Sequence, residues 1–392
     1  MSAAPRVMAA TLRSRATRHP TLTVTGPRQS GKTTLCRAAF PDHNYVNLED
    51  LNQRELAAAD PVSFVRRHMS GAIFDEVQRV PNLLSAIQVA VDDEPRQGRF
   101  VLSGSHNLQL QGAIAQSLAG RTSVLDLLPM TLAELRAFET APTELLPTLF
   151  AGGYPRIFAD EVPPSEFHAD YVRTYVERDV RQLLAVQDLG AFQTFLRLCA
   201  GRTGSLVNLS SLASDCGITH PTAKAWLHVL EASYLVQVVR PWFTNLGKRL
   251  VKAPKLFFVD SGLLCWLLGI REPGQLDTHP LRGAVFESWV VAEILKARAN
   301  LGISDPVWFY RDQSGNEVDL VVETGDRLLL VEIKSGERAA SDAIESMRTM
   351  VATFGETKRK VQGMIVYGGD TAASVHGIEL VPWRELGART LS

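Results

Sequence analysis

The chain has 392 residues, of which 45% are hydrophobic and 21% charged, with 41 basic and 42 acidic side chains and a formal net charge of −1. This length exceeds one ordinary core and predicts two or three globular domains. The balanced charge excludes a globally basic nucleic-acid binder, so any contact with DNA has to come from a local patch. No run approaches the roughly 18 consecutive apolar residues of a membrane span, and no membrane partner is expected. Residues 1–20 carry Arg6, Arg13, Arg15 and Arg18 without a continuous apolar stretch, which reads as a basic amphipathic helix and not as a secretory signal. Cys36, Cys199, Cys216 and Cys265 are scattered with no C-x-x-C pair, which argues against a zinc ribbon or a disulfide framework. A reduced, cytoplasmic setting is expected.

Residues 22–25 then read as a short strand, and Gly26-Pro27-Arg28-Gln29-Ser30-Gly31-Lys32-Thr33 follows as the G-x-x-x-x-G-K-T pattern of a phosphate-binding loop. Glycine at both ends lets the backbone curl so that successive N–H groups face one anion. Lys32 is placed to reach the β- and γ-phosphates, the Thr33 hydroxyl to hold Mg²⁺, and Thr34 opens a helix whose positive end faces the phosphates. The expected ligand is ATP with Mg²⁺. Further strands are expected at 45–48, 71–74, 99–103 and 123–128, with helical patterns such as 83–91 and 108–118 between them. Alternation of this kind predicts a parallel α/β sheet with its ligands at the strand ends.

The strand at 71–74 ends in Asp75-Glu76. An aspartate at a buried strand tip is expected to hold Mg²⁺ opposite Thr33, and the adjacent Glu76 to polarise the attacking water, which favours hydrolysis over binding alone. After the next strand comes Ser103-Gly104-Ser105-His106-Asn107; Ser105 either senses the γ-phosphate or belongs to a plain turn. Arg121 either acts in trans on a neighbour's nucleotide, which requires a homo-oligomer, or is a solvated loop residue.

Gly-Pro-Arg-Gln-Ser-Gly-Lys-Thr-Thr, Phe-Asp-Glu-Val-Gln, Leu-Ser-Gly-Ser and Leu-Ala-Gly-Arg, in this order, resemble a prokaryotic AAA-type ATPase family whose members carry a C-terminal domain of unknown function. Residues 171–180 resemble that family's linker helix. The resemblance spans nearly the whole chain. It implies an ATPase and leaves the biological role open.

In that linker, Arg173, Glu177, Arg178 and Arg181 either line a solvated helix face or approach nucleotide from the lid side. Next, 209–215 and 220–232 read as two helices joined by a glycine turn at Gly217, followed by a strand over 234–239. This is the winged helix-turn-helix pattern. Thr219, His220, Thr222 and Lys224 stand at the start of the second helix. Lys248, Arg249, Lys252 and Lys255 form a basic wing able to touch DNA phosphates. Lid or protein-contact use remains the alternative.

The tail carries a second constellation. Residues 281–299 read as a helix with Glu287, and strands are expected at 317–322 and 328–334, the latter running Leu-Leu-Leu-Val-Glu-Ile-Lys. Period-two geometry puts Glu332 and Lys334 on one face, where Asp319 and Glu287 can meet them. Charges in such a strand cost several kcal/mol unless paired or metal-bound. Helix acid, Asp319, then Glu332-x-Lys334 resemble the PD-(D/E)xK nuclease core, which implies a Mg²⁺ site; such a fold also persists for binding alone.

The expected organisation is therefore α/β: an AAA-type P-loop domain over about 1–155, a helical and winged-helix domain over 156–275, and a nuclease-like domain over 276–392. The expected activity couples ATP hydrolysis to DNA binding or processing. Its rivals are a nucleotide-dependent protein-interaction switch with an inactive tail and an ATP-gated metal-dependent DNA nuclease.

Overall fold

Short runs of β-branched and aromatic residues build the first sheet: β1 (Thr21–Thr25), β2 (Asn44–Asn47), β3 (Ala72–Asp75), β4 (Phe100–Ser103) and β5 (Thr122–Asp126). The structure is a computed structural model that describes residues 6–104, 112, 117–176, 188–242, 252–357 and 359–389. Expectations placed on Ser105, Glu177, Arg178, Arg181, Lys248 and Arg249 lie outside these residues. The strands are ordered β2-β3-β4-β1-β5 and every neighbouring pair is parallel.

β1, β3 and β4 are buried along their whole length, so both faces need a helical cover. Helices Met8–Ala16 and Lys32–Ala39 supply one, packing Met8, Leu12 and Leu35 on Leu22 and Val24. Helix Leu83–Asp93 supplies the other, over Phe64, Phe74 and Phe100. Each such fully buried side chain contributes about 1.5–3 kcal/mol. With β4 lying between β1 and β3, the turn after β1 and the tip of β3 flank a crevice at the carboxyl edge.

The middle of the chain holds helices Leu189–Gly201, Leu209–Asp215 and His220–Ala232, followed by an antiparallel pair, β6 (Val236–Pro241) and β7 (Lys255–Phe258). An isolated bridge between Leu206 and Lys255 ties the segment before the second helix to β7. In the linker, helix Pro164–Tyr171 passes into a π-helical turn over Val172–Val176.

The tail comprises helix Arg282–Asn300, β8 (Val307–Arg311), β9 (Glu317–Thr324), β10 (Arg327–Lys334), helix Ser341–Gly355, β11 (Lys360–Tyr367), β12 (Ala373–Val375) and β13 (Ile378–Pro382). Its sheet runs β12-β13-β11-β10-β9-β8-β6-β7, so the β6–β7 pair of the middle segment extends the tail's sheet through a parallel β6–β8 contact. One apolar core accordingly runs from Met130 to Leu386. A second, with Met347, Met350 and Phe354 of helix Ser341–Gly355, covers the other face.

Helix Arg282–Asn300 also docks on the first domain. Glu293 accepts from the Leu132 amide at 2.8 Å, Lys296 donates to Met130 O at 3.2 Å, and Thr11 donates to Asn300 O at 2.7 Å. Glu293 and Lys296 are themselves paired at 3.1 Å and buried, so each charge has a partner where water is absent. Among the described residues no helix is long and apolar enough to cross a membrane.

Candidate nucleotide site and a second charged cleft

The turn after β1 is built for close backbone approach. Gly26 has φ +142°, and a Cβ there would lie 2.2 Å from Leu127 O, so only glycine fits. Gly31, at φ +91°, caps helix Lys32–Ala39 and turns its free amides into the loop. Lys32 is buried and donates to Gly26 O at 3.0 Å and Pro27 O at 2.8 Å. Burial pushes its pKa down to about 8, since its near partners are carbonyl dipoles and the charges of Glu76 and Asp75 offset only part of that cost. Ser30 Oγ is fully buried and has no hydrogen-bond partner among the described residues, the state of a polar atom in a cradle shaped for phosphate oxygens. Thr34 is exposed on the first helical turn.

Asp75 at the tip of β3 gathers the metal side of the site. Its carboxylate accepts from Thr33 Oγ1 at 2.7 Å, Tyr45 OH at 2.9 Å, Ser103 Oγ at 2.5 Å and the Glu76 amide at 3.2 Å. Thr33 and Asp75 are thus in direct contact, and the donor set, a carboxylate beside a hydroxyl, suits a hard cation such as Mg²⁺. Glu76 stands next to them with φ +56°, a left-handed conformation that costs a non-glycine residue roughly 1–3 kcal/mol. Its carboxylate accepts from Gln78 Nε2.

Two parts of this site were not legible in the sequence. Arg6, read as one cation of a basic helix, donates through Nη1 to Ser30 O at 2.5 Å, through Nη2 to Leu128 O at 2.8 Å and through Nε to Glu134 at 2.9 Å. Burial alone would raise the Glu134 pKa, but Arg6 and the Thr131 and Val7 amides hold it below the usual range. Arg6 therefore pins the loop from behind. Tyr45 on β2 carried no motif at all.

Arg121 lies elsewhere. Its carbonyl accepts from Thr21 N at the amino edge of the sheet, a strand length of about 15 Å from the loop. Its guanidinium grips Asp92 at 2.6 and 2.8 Å, so it makes no contact with this chain's own Lys32 or Asp75. On the lid side, Arg173 and Arg156 line a cleft of about 470 Å³ that includes Gln29 of the loop.

In the tail, the structure brings Glu287, Asp319, Glu332 and Lys334 to one cleft of about 650 Å³. Lys334 Nζ pairs with Glu332 Oε1 at 2.6 Å, and Asp319 Oδ2 accepts from the Ile333 amide at 2.8 Å. Sequence reasoning missed two further members. Glu317 of β9 joins the acids, and Lys255 enters from β7. Lys255 Nζ lies 2.7 Å from Glu317, 3.1 Å from Glu287 and 3.7 Å from Asp319, with its side chain only 4% exposed. The expectation that Lys255 belongs to an exposed basic wing is corrected: the β6–β7 pair folds onto the tail's sheet and carries this lysine inward.

Burial and the Asp319 charge raise Glu287 and Glu332 to about 7, and burial likewise raises Asp319. The carboxylates hold the Lys255 pKa above its ordinary value despite its burial. Thr219 caps helix His220–Ala232 by accepting from the Thr222 amide at 3.3 Å, and His220 and Lys224 are exposed on its first turns.

Residues 18–136 match an AAA domain family, residues 143–274 a domain of unknown function (DUF8612), and residues 282–386 a domain of unknown function (DUF4143). Two curated proteins, uncharacterized protein Mb2031c of Mycobacterium bovis and uncharacterized protein Rv2008c of Mycobacterium tuberculosis, are each 32% identical over 372 residues, which is 93% of this chain and 80% of theirs. A Walker-type ATPase of Pyrococcus abyssi superposes with a TM-score of 0.45 at 13% identity, covering 66% of this chain and 94% of that one. AMPPCP-bound DnaA from Aquifex aeolicus gives a TM-score of 0.30 at 14% identity, over 57% of this chain and 86% of that one.

Proposed function

The chain belongs to the family of those two mycobacterial proteins and carries an AAA domain at its head; we propose that it hydrolyses ATP there and couples nucleotide state to DNA binding through its middle segment. The observation that carries this reading is the contact of Thr33 with Asp75, with Glu76 held beside it at the tip of β3.

In this mechanism the loop amides and Ser30 receive the phosphates, and Lys32 exchanges the Gly26 and Pro27 carbonyls for phosphate oxygens. Thr33 and Asp75 are the residues that would hold Mg²⁺, whose part is to neutralise charge developing on the phosphates. Glu76 orients the attacking water. Phosphate release with bound-nucleotide measurement tests the assignment: Glu76→Gln should keep ATP binding and lose at least about 100-fold in turnover. Turnover retained within threefold would remove Glu76 from the mechanism. Arg121, far from its own loop, has a catalytic part only on a neighbouring subunit's nucleotide; an Arg121→Ala chain that assembles normally and turns over at the wild-type rate would end that role.

The DNA side rests on three helices followed by a hairpin, the order of a winged helix-turn-helix, with His220 and Lys224 exposed on the groove-reading helix. Affinity for duplex DNA should fall steeply with salt, and Lys224→Ala should flatten that slope by about one. Salt-independent or absent binding would favour the protein-interaction switch. The nuclease reading places cutting at Asp319, Glu332 and Lys334, and cleavage that survives Glu332→Ala would refute it.

A further inference from the structure

The PD-(D/E)xK resemblance implies a divalent metal among the tail carboxylates, and the residues present do not fit one. The cavity-facing acids are already committed. Glu287, Glu317 and Asp319 all lie within 4 Å of the Lys255 ammonium, Glu332 is taken by Lys334, and the second Asp319 oxygen by the Ile333 amide. Arg311 adds a further cation to Glu317 at 3.4 Å. Four carboxylates therefore meet three cations. Among the described residues no group of three or more acidic, His or Cys side chains is arranged to hold a metal ion.

We propose that Lys255 is the built-in cation of this cleft, occupying the position that a divalent metal takes in a cutting site, so that the tail works without a metal. The geometry is specific to one backbone position. Lys255 sits on β7 between β6 and the bridge to Leu206, so its main chain is held on both sides, and its side chain ends in the cleft. Its ammonium is the least exposed charge of the cluster, at 4% against 14–28% for the three acids it touches. Its compact ammonium reaches Glu317 and Glu287 at hydrogen-bond distance and holds Asp319, at 3.7 Å, by charge alone, so one cation serves three separate carboxylates as a small hard ion would. A divalent ion would need the same oxygens and would meet a charge of its own sign. The inference rests on the nuclease-like fold of the tail, stands against the metal-dependent cutting reading, and is independent of the ATPase reading.

Mn²⁺ binding to the full, nucleotide-free chain, followed by electron paramagnetic resonance, tests it. Every sample carries Asp75→Asn so that the first site does not contribute. The parent should show no Mn²⁺ whose binding is removed by Asp319→Asn. Lys255→Met should gain one ion, at least tenfold tighter than anything in the parent and lost again with Asp319→Asn, while Lys255→Arg should behave as the parent. A parent chain that itself binds an Asp319-dependent ion overturns the proposal, and so does a folded Lys255→Met chain that gains none. Where Lys255→Met does not fold, Lys255→Gln takes its place and the parent comparison decides unaided. Phosphate release by the unmutated chain is read separately, so failure of the ATPase reading leaves a different trace.

Discussion

Two buried lysines divide the molecule between them. Lys32 ends on the carbonyls of Gly26 and Pro27, with burial drawing its pKa down to about 8. Lys255 ends among Glu287, Glu317 and Asp319, which hold its pKa up although it is also buried. Carbonyl dipoles offset only part of the desolvation of an ammonium, so Lys32 gains when a polyphosphate arrives. Three carboxylates offset it fully, so Lys255 has nothing to gain by moving. The difference lies in partners, since depth and residue type are shared. One lysine awaits an anion; the other already sits among the anions that balance it.

The largest effect that would sharpen this contrast comes from truncating both lysines. Lys32→Ala removes the phosphate-binding charge and should abolish measurable ATP binding in a calorimetric titration, with at least a thousandfold loss in affinity or turnover, while leaving the urea midpoint nearly unchanged. Lys255→Met should do the reverse. It leaves Glu287 and Asp319 without this counter-charge, while Glu317 keeps Arg311. Because the three acids are 14–28% exposed, the cost should fall toward the lower end of the roughly 3–5 kcal/mol of a broken buried pair, and ATP hydrolysis should be untouched in the fraction that folds. A Lys255→Met chain as stable as wild type would break the comparison.

A smaller effect follows from pH. Glu287 and Glu332 are raised from 4.5 to about 7 in the folded chain, by burial first and by Asp319 next. An acid that holds its proton more firmly when folded contributes stability that is fully present below about pH 4.5 and is lost as pH rises through 7. Urea unfolding between pH 5 and 8 should show that loss, and Glu287→Gln should flatten it. The Lys255→Met penalty should grow over the same interval, because the acids it leaves behind ionise there. The Lys255 charge itself is constant across this range, its folded pKa being above the ordinary 10.5.

The two sites also differ in how far they can be read from the sequence. Gly26 to Thr33 is contiguous, and Asp75-Glu76 terminates an apolar run, so both carry their structural context with them. The parallel sheet followed from the alternation of strands with helices, and its strands fall within a few residues of the expected places. β8 (Val307–Arg311) was missed although Val-Trp-Phe-Tyr-Arg is a β-branched and aromatic run bounded by Ser304-Asp305-Pro306 and Asp312–Asn316, so the signal for it was present in the sequence. Arg6, Tyr45 and Lys255 were invisible as site residues because none stands in a motif of its own, whereas Thr33 and Asp75, 42 positions apart, are each marked by a local pattern. Arg6 lies 128 positions from Glu134. Lys255 in particular followed a cluster of cations that suggested solvent, and only the addition of β6–β7 to the tail's sheet turns it inward. Charge patterning reports local exposure; it does not report which sheet a hairpin joins.

The smallest expected effect concerns a side chain that ties the middle segment to the residue before the phosphate loop. Tyr234 follows helix His220–Ala232 with φ +56°, and its hydroxyl donates to Asp126 at the end of β5 and lies 3.1 Å from Thr25 Oγ1. Thr25, the residue before Gly26, also donates to Asp126 at 2.5 Å. Tyr234→Phe keeps the ring and removes one hydroxyl from this cluster, leaving Asp126 with Thr25, so the stability cost should be about 1 kcal/mol. A purely structural hydroxyl would stop there. If the turn before β6 senses the loop through Thr25, ATP should change DNA affinity less in Tyr234→Phe than in wild type, by a factor of about three, with affinity in the absence of nucleotide unchanged. Equal ATP responses in the two chains would confine Tyr234 to packing and leave the docking of helix Arg282–Asn300 on residues 130–132 as the path between loop and tail.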